Sequence, residues 1–208
     1  ANDALVMPIK ERSKIEYHTL FEVFGLTAKS IEAQEAMAAQ YHRCGVTTHS
    51  TYSIQDGVFK SIAKRGNEPL SIHFLESMDE VELYRHHGSL WEWYSKMGWE
   101  CDFLHYGSPS ERIVACVPSE RRVLLVHNCA ITERDIELVT NHFSEPVSWV
   151  LCPRSNSYIS GIEPQSVELL RSFGTNINIC IGTDSLASNW SLSVVEELKQ
   201  FKNIPLAE

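Results

Sequence analysis

No stretch of this chain approaches the roughly 20 consecutive apolar residues of a membrane span, and its opening, ANDALVMPIKERSK, lacks the apolar core of a secretory leader. Basic residues are in deficit: 18 Lys and Arg face 27 Asp and Glu, a formal net charge of −9. Without a basic stripe to meet phosphates, no nucleic-acid partner is expected. CxxC pairs are missing too. The six cysteines, Cys44, Cys101, Cys116, Cys129, Cys152 and Cys180, are scattered, and Cys152 and Cys180 lie in apolar runs. This argues against a disulfide framework and for buried free thiols in a reducing, cytoplasmic compartment; in that setting the sequon Asn189-Trp190-Ser191 is incidental. There is no Gly-rich phosphate loop after the first strand, no Ser nucleophile elbow and no His-Glu-x-x-His. Internal repeats and low-complexity linkers are also absent.

What is present is an ordinary globular composition, 43% hydrophobic and 22% charged over 208 residues. That suits a single domain, 1–208, with a sizeable core. After a connecting stretch, residues Lys14 to Gly25 predict a strand running into a loop. Ser30 to Cys44 has helical apolar spacing and stops at Gly45. Val46-Thr47-Thr48-His49 is a strand, followed by a helix over Asp56 to Lys64. Pro69 to His73 is another strand, and Ser77-x-x-Glu80 reads as a capping box for a helix through Tyr84. Arg122 to His127 is the clearest strand, and Thr132-x-x-Asp135 caps a helix to about Phe143. A strand over Val147 to Cys152 ends at Pro153. A helix over Pro164 to Phe173, a strand over Ile177 to Ile181, and a helix over Ser193 to Phe201 with Ser193-x-x-Glu196 as its capping box complete the chain.

Strand and helix therefore alternate six times, and the apolar strands read as buried on both faces. Such a pattern predicts a parallel sheet with right-handed crossovers. A closed barrel of eight units needs about 250 residues; six units in this length predict a partial (β/α)8 barrel. An open doubly wound sheet, with its histidines purely structural, is the alternative, and the missing phosphate loop weakens it.

Four of the strands end in one ionisable group: His49 after VTT, His73 after LSI, His127 after LLV and Asp184 after CIGT. At the carboxyl ends of parallel strands these groups would converge on one barrel mouth. Imidazoles and a carboxylate gathered there suit a divalent metal, zinc first, with iron or manganese as alternatives. Glu76, three residues after His73, can face the same mouth and exchange protons if burial raises its pKa. Arg154 can meet an anionic substrate group or hold its own loop. The Trp91, Trp93 and Trp99 cluster reads as helix packing or as a lid over the mouth. His86 and His87, beyond a helix, read as surface.

Taken together, His73-Phe74-Leu75-Glu76, Val126-His127-Asn128, Leu151-Cys152-Pro153-Arg154-Ser155-Asn156 and Gly182-Thr183-Asp184-Ser185-Leu186-Ala187-Ser188-Asn189 resemble the metal-dependent amidohydrolase superfamily. The resemblance is to its chlorohydrolase, cytosine deaminase and guanine deaminase branch, whose His-Ala-Pro-Tyr segment is similar to Thr48-His49-Ser50-Thr51-Tyr52-Ser53. It covers Ile15 to the C-terminus, matching the third to eighth barrel strands. It implies His73 and Asp184 as metal ligands, with Asp184 also taking a proton from the attacking water. By the same resemblance His127 holds or polarises that water, Glu76 passes a proton to the leaving group or ring nitrogen, and His49 contacts a small-molecule substrate. The implied reaction is hydrolysis of a C–N or C–Cl bond in a small N-heterocycle or amidine.

The chain departs from that family in having no His-x-His, the pair that supplies two metal ligands on the family's first strand. The expectation is thus an internal piece of a longer hydrolase, truncated at both ends, with weakened metal affinity and no activity of its own. A non-catalytic structural fragment is the other reading. The open edges near Ile15–Phe21 and Ile177–Ile181 predict self-association, hence a homo-oligomer.

Overall fold

The computed structural model describes residues 3–27, 31–161, 166–174 and 177–201. After a short helix α1 (Met7–Glu11), strand β1 (Thr19–Val23) begins an alternation of parallel strands and helices: α2 (Glu32–Ala38), β2 (Cys44–Thr48), α3 (Asp56–Lys64), β3 (Leu70–Phe74) and α4 (Met78–Leu83). Two more helices, α5 (Gly88–Lys96) and α6 (Pro109–Cys116), lead into β4 (Val123–His127), α7 (Glu133–His142) and β5 (Val147–Leu151). Then come α8 (Pro153–Ser160), α9 (Ser166–Ser172), β6 (Ile177–Ile181) and α10 (Val194–Leu198). These six consecutive parallel strands, each returning through helix, form part of a (β/α)8 barrel wall.

The wall is hydrogen-bonded as β1–β2 and as β3–β4–β5–β6. Between β2 and β3 a side chain takes the place of the ladder: the Thr47 hydroxyl accepts from the Ser71 amide at 2.9 Å and donates to the Ser71 carbonyl at 2.8 Å. The backbones rejoin at their carboxyl ends, where the His73 amide donates to the His49 carbonyl at 2.9 Å. The splay curves the wall and closes it at the end that carries the histidines.

Strands β1, β3 and β4 alternate fully buried and half-buried residues, so the expectation of burial on both faces holds only for the outer one. That face carries the core. Ile72, Phe74, Leu125 and Trp149 are wholly buried against Phe59, Ile113, Ile136 and Val139 of the helices. At about 25 cal/mol per Å² of apolar area, this layer is the main stabilising contribution.

Polar burial fixes the loops instead. Arg112, 0% exposed, lies between the Phe59 and Phe103 rings and donates to the carbonyls of Thr51 at 2.7 Å and Ile54 at 2.9 Å. It thereby holds the segment after His49. Asp56 takes hydrogen bonds from Tyr106 at 2.8 Å and Cys116 at 3.3 Å and pairs with Lys60 at 2.7 Å.

Several boundaries differ from expectation. Helix α2 ends at Ala38, because residues from Cys44 onward pair with β1 in extended form and Arg43 adopts φ 53°. Pro153, where the strand was expected to end, also opens α8; at the first helical position its missing N–H costs nothing. The predicted start of the Pro164 helix lies outside the described residues. Of the three predicted capping boxes only Thr132–Asp135 forms, while Ser77 and Ser193 make no side-chain cap. All six cysteines are unpaired, but only Cys116 and Cys152 are fully buried; Cys180 is half-buried on the edge strand.

Candidate active site

The strand ends do converge. The His49 and His73 rings stand 4.5 Å apart, and His73 and His127 stand edge to face at 4.8 Å. Turns that a glycine-free chain rarely makes aim these groups: Leu75 (φ 48°), His127 (φ 84°), Asn128 (φ 59°) and Asp184 (φ 55°) all occupy the left-handed region. Asn128, fully buried, stabilises its own turn by donating to the Leu125 and Val150 carbonyls at 2.8 and 3.1 Å. Before Asp184 the chain passes so close to β5 that a Cβ on Gly182 would meet Cys152 Sγ at 2.9 Å. Only glycine lets this exit form.

Glu76 lies between two histidines. Its Oε2 is 3.8 Å from His73 Nδ1 and its Oε1 is 3.7 Å from His127 Nε2, while Tyr52 donates its hydroxyl proton to Oε2 at 2.7 Å. The sequence led us to expect a burial-raised carboxyl. Burial does push it up, but the nearby His73 and His127 imidazoles and the Tyr52 hydroxyl outweigh it and bring Glu76 down to about 2. His73 moves the opposite way: burial depresses its imidazolium, but Glu76, Glu22 and Asp184 more than offset this and hold it above its ordinary range.

His127 is 0% exposed. Its Nδ1 bonds Asn156 Oδ1 at 2.8 Å, and Asn156 in turn donates to the His127 carbonyl at 3.3 Å. The amide orientation puts the proton on Nδ1. Burial lowers the pKa of the ring, so it stays neutral. Its Nε2 is therefore a buried lone pair with no hydrogen-bond partner among the described residues, and it faces a carboxylate.

Asp184 is held at the wall of the mouth. Its Oδ2 accepts from the Ser155 and Ser188 hydroxyls, each at 2.6 Å. Burial raises it, but those hydroxyls and the neighbouring His127 and His73 rings set its carboxyl below the usual range. His49, half-buried, bonds Ser53 Oγ through Nδ1 at 2.9 Å, with Phe24 6.0 Å away, and burial keeps it neutral.

Donor atoms of His73, Glu76 and His127 all lie within 4.8 Å of one another. Two imidazole nitrogens and a carboxylate suit a divalent cation of the zinc class, and the unpartnered His127 Nε2 beside Glu76 is the kind of lone pair that such an ion satisfies. The expected ligand Asp184 stands at the same mouth, where its charge helps to raise the His73 pKa, with its Oδ2 held by two serines.

Two residues escaped the sequence reading. Glu22 reaches His73 Nε2 at 4.0 Å; in TLFEV, Leu20 and Glu22 alternate with buried Thr19, Phe21 and Val23, so they share the inner face. Tyr52 sits within the quoted loop, but no spacing marked its hydroxyl. Of the open readings, His86 and His87 are exposed, and Arg154 lies over the Trp190 ring at 5.4 Å. Trp91 and Trp99 pack beside Tyr94 and Phe103, whereas Trp93 is half exposed at a cavity of about 470 Å³ that also borders Tyr52, Glu76 and Leu90.

Residues 20–204 match the family model described as the Amidohydrolase family. The chain belongs to this family. Its relatives include deaminases. It is 25% identical to the adenosine deaminase of Helicobacter pylori, over 100% of this chain and 54% of that protein. Identity to the 5'-deoxyadenosine deaminase of Methanothrix thermoacetophila is 32%, over 74% of this chain and 32% of that protein. The crystal structure of Helicobacter pylori aminofutalosine deaminase in complex with methylthio-coformycin is similar at a TM-score of 0.82 and 26% identity, over 99% of this chain and 53% of that one. The chain thus spans about half the length of the first of these relatives, 54%, and of that solved structure, 53%.

Proposed function

We propose that the protein carrying this chain is a metal-dependent deaminase of a small adenine-type N-heterocycle, a nucleoside in the first instance. The observation that carries the reading is the buried, unpartnered Nε2 of His127 facing Glu76 beside His73. The names of the relatives supply the substrate class. His73 and Asp184 would hold the cation, with Glu76 and His127 directed at it. When bound, such an ion supplies the Lewis acidity that makes water nucleophilic near neutral pH.

The remaining steps belong to side chains. Neutral His127 keeps its Nδ1 proton on Asn156 and offers Nε2 to hold the water. Asp184, a carboxylate pinned by Ser155 and Ser188, takes a proton as the water oxygen bonds to the amino-bearing ring carbon. Glu76, also a carboxylate, passes one of the water's two protons to the ring nitrogen, and the proton taken by Asp184 goes to the departing amine. The C–O bond forms, the C–N bond breaks, and ammonia leaves while the ring keeps a carbonyl. His49 and Phe24 border the place where the base would lie. Unpaired thiols favour a cytoplasmic setting, and the open edge of β6 favours a homo-oligomer.

The test is ammonia release from adenosine, 5'-deoxyadenosine and methylthioadenosine by the zinc-loaded protein. Turnover that Glu76→Gln removes without unfolding the protein supports the reading. No turnover of any purine or pyrimidine amine overturns it.

A further inference from the structure

Glu80 lies four residues beyond Glu76 and is 1% exposed, a buried carboxyl group with no cation in contact among the described residues. The Ser77-x-x-Glu80 spacing predicts that it caps the amide of Ser77. It does something else. Its Oε2 accepts the backbone N–H of Glu76 at 3.0 Å, and the Leu75 amide bonds it as well. Its Oε1 accepts the hydroxyl of Thr51. The left-handed turn at Leu75 swings the chain so that the amides before Ser77, not that of Ser77 itself, face the carboxylate.

Both segments tied by Glu80 carry a group of the site. Thr51 adjoins Tyr52, whose hydroxyl holds Glu76 Oε2 at 2.7 Å. The Thr51 carbonyl is in turn fixed by Tyr84 at 2.7 Å and by Arg112 at 2.7 Å. Glu76 is thus gripped at both ends, its backbone by Glu80 and its carboxylate by a tyrosine on the loop that Glu80 also anchors. A helix cap alone would need only the first contact.

We infer that Glu80 is a positioning residue that holds the Glu76 carboxylate between His73 and His127 by joining the Leu75–Glu76 turn to the Thr51–Tyr52 loop. The inference rests on the proton-transfer role proposed for Glu76. It acts through the reach of an acceptor, not through charge. A displacement of about 1 Å at a proton-transfer group costs on the order of a hundredfold in rate.

Two substitutions separate acceptor reach from charge in the full protein. Glu80→Gln keeps an acceptor oxygen at the same distance and drops the charge; Glu80→Asp keeps the charge and withdraws the oxygen by one methylene. We expect Glu80→Asp to lower kcat by about ten- to a hundredfold with KM within about threefold, and Glu80→Gln to stay within about fivefold of wild type. Ile136→Ala, a core truncation in α7, should lose stability but keep kcat. The reverse order of Gln and Asp, or both within about threefold of wild type, overturns the inference.

Hydrogen exchange of the Glu76 amide gives a readout that needs no substrate. The amide should be protected in wild type and in Glu80→Gln, and exposed in Glu80→Asp, with Ile136→Ala unchanged. If wild type deaminates nothing but this exchange pattern holds, the proposed function falls and the positioning contact stands. If the pattern fails, Glu80 does not hold this turn and the inference falls whatever the activity.

Discussion

His127 Nε2 faces Glu76 Oε1 at 3.7 Å with no proton between them, because Asn156 keeps the imidazole proton on the other nitrogen. Two lone pairs directed at one another inside a protein are unfavourable unless a cation or a donor comes between them. That relationship makes the mouth a receptor for a cation and water instead of a satisfied structural network.

The tautomer is measurable. Nitrogen-15 NMR of labelled histidine should find His127 neutral and protonated at Nδ1 across the neutral pH range. Asn156→Leu frees the proton to move to Nε2 and should lower metal affinity or activity by about 10- to 100-fold, the usual cost of losing such an outer partner. A His127 protonated at Nε2 in the wild type would contradict the geometry.

Asp56, at the start of α3, pairs with Lys60 of the same helix and ties it to Tyr106 and to Cys116 of α6, with Arg112 3.6 Å away. Burial raises its carboxyl, but those donors prevail and hold it low. Asp56→Asn leaves two cations without their carboxylate and should cost about 2 to 4 kcal/mol. A thermal melt should fall by about 5 to 15 °C. An unchanged melt would mean that the network contributes no net stability.

Stability should also depend on Glu80. Burial lifts its pKa from 4.5 to about 7, against the pull of Thr51 and the two amides. The folded state therefore binds this proton more tightly than the unfolded chain does. The stabilisation is full below the ordinary carboxylate pKa and is lost as pH rises through about 7. Urea unfolding between about pH 5 and pH 8 should lose stability with a slope of up to about 1.4 kcal/mol per pH unit from this group, and Glu80→Gln should flatten it. A slope unchanged in the variant would contradict the assignment.

Among the described residues strand β6 pairs with β5 alone, and Ile177, Ile179 and Ile181 are half-buried. Unpaired amides beside apolar side chains invite a second copy. Light scattering should give a mass that rises with concentration, and Ile179→Lys should return it towards the monomer. A monomer at all concentrations would contradict this.

Much of the site was legible because each strand is a β-branched or aliphatic run that ends abruptly: His49, His73, His127 and Asp184 stand out as the first ionisable groups after such runs. The barrel wall was legible for the same reason. What escaped depends on where the chain turns. Leu75 adopts a left-handed conformation that no propensity marks, and it redirects Glu80 from Ser77 to the Glu76 amide. Glu76 was expected to be raised by burial; the partners that lower it lie on β3, β4 and the loop after β2, far apart in sequence. The serines that hold Asp184 Oδ2, Ser155 and Ser188, lie 29 and 4 residues away from it, and no spacing marked their hydroxyls.

The central claim is that the mouth formed by His73, Glu76, His127 and Asp184 is a receptor for a divalent cation. Zinc titration followed by histidine NMR on the protein tests it most directly. The account predicts saturable shifts confined to His73 and His127, lost in His73→Ala, while exposed His86 and His87 do not move. Zinc that leaves His73 and His127 unperturbed, or that shifts every histidine alike without saturating, would contradict it.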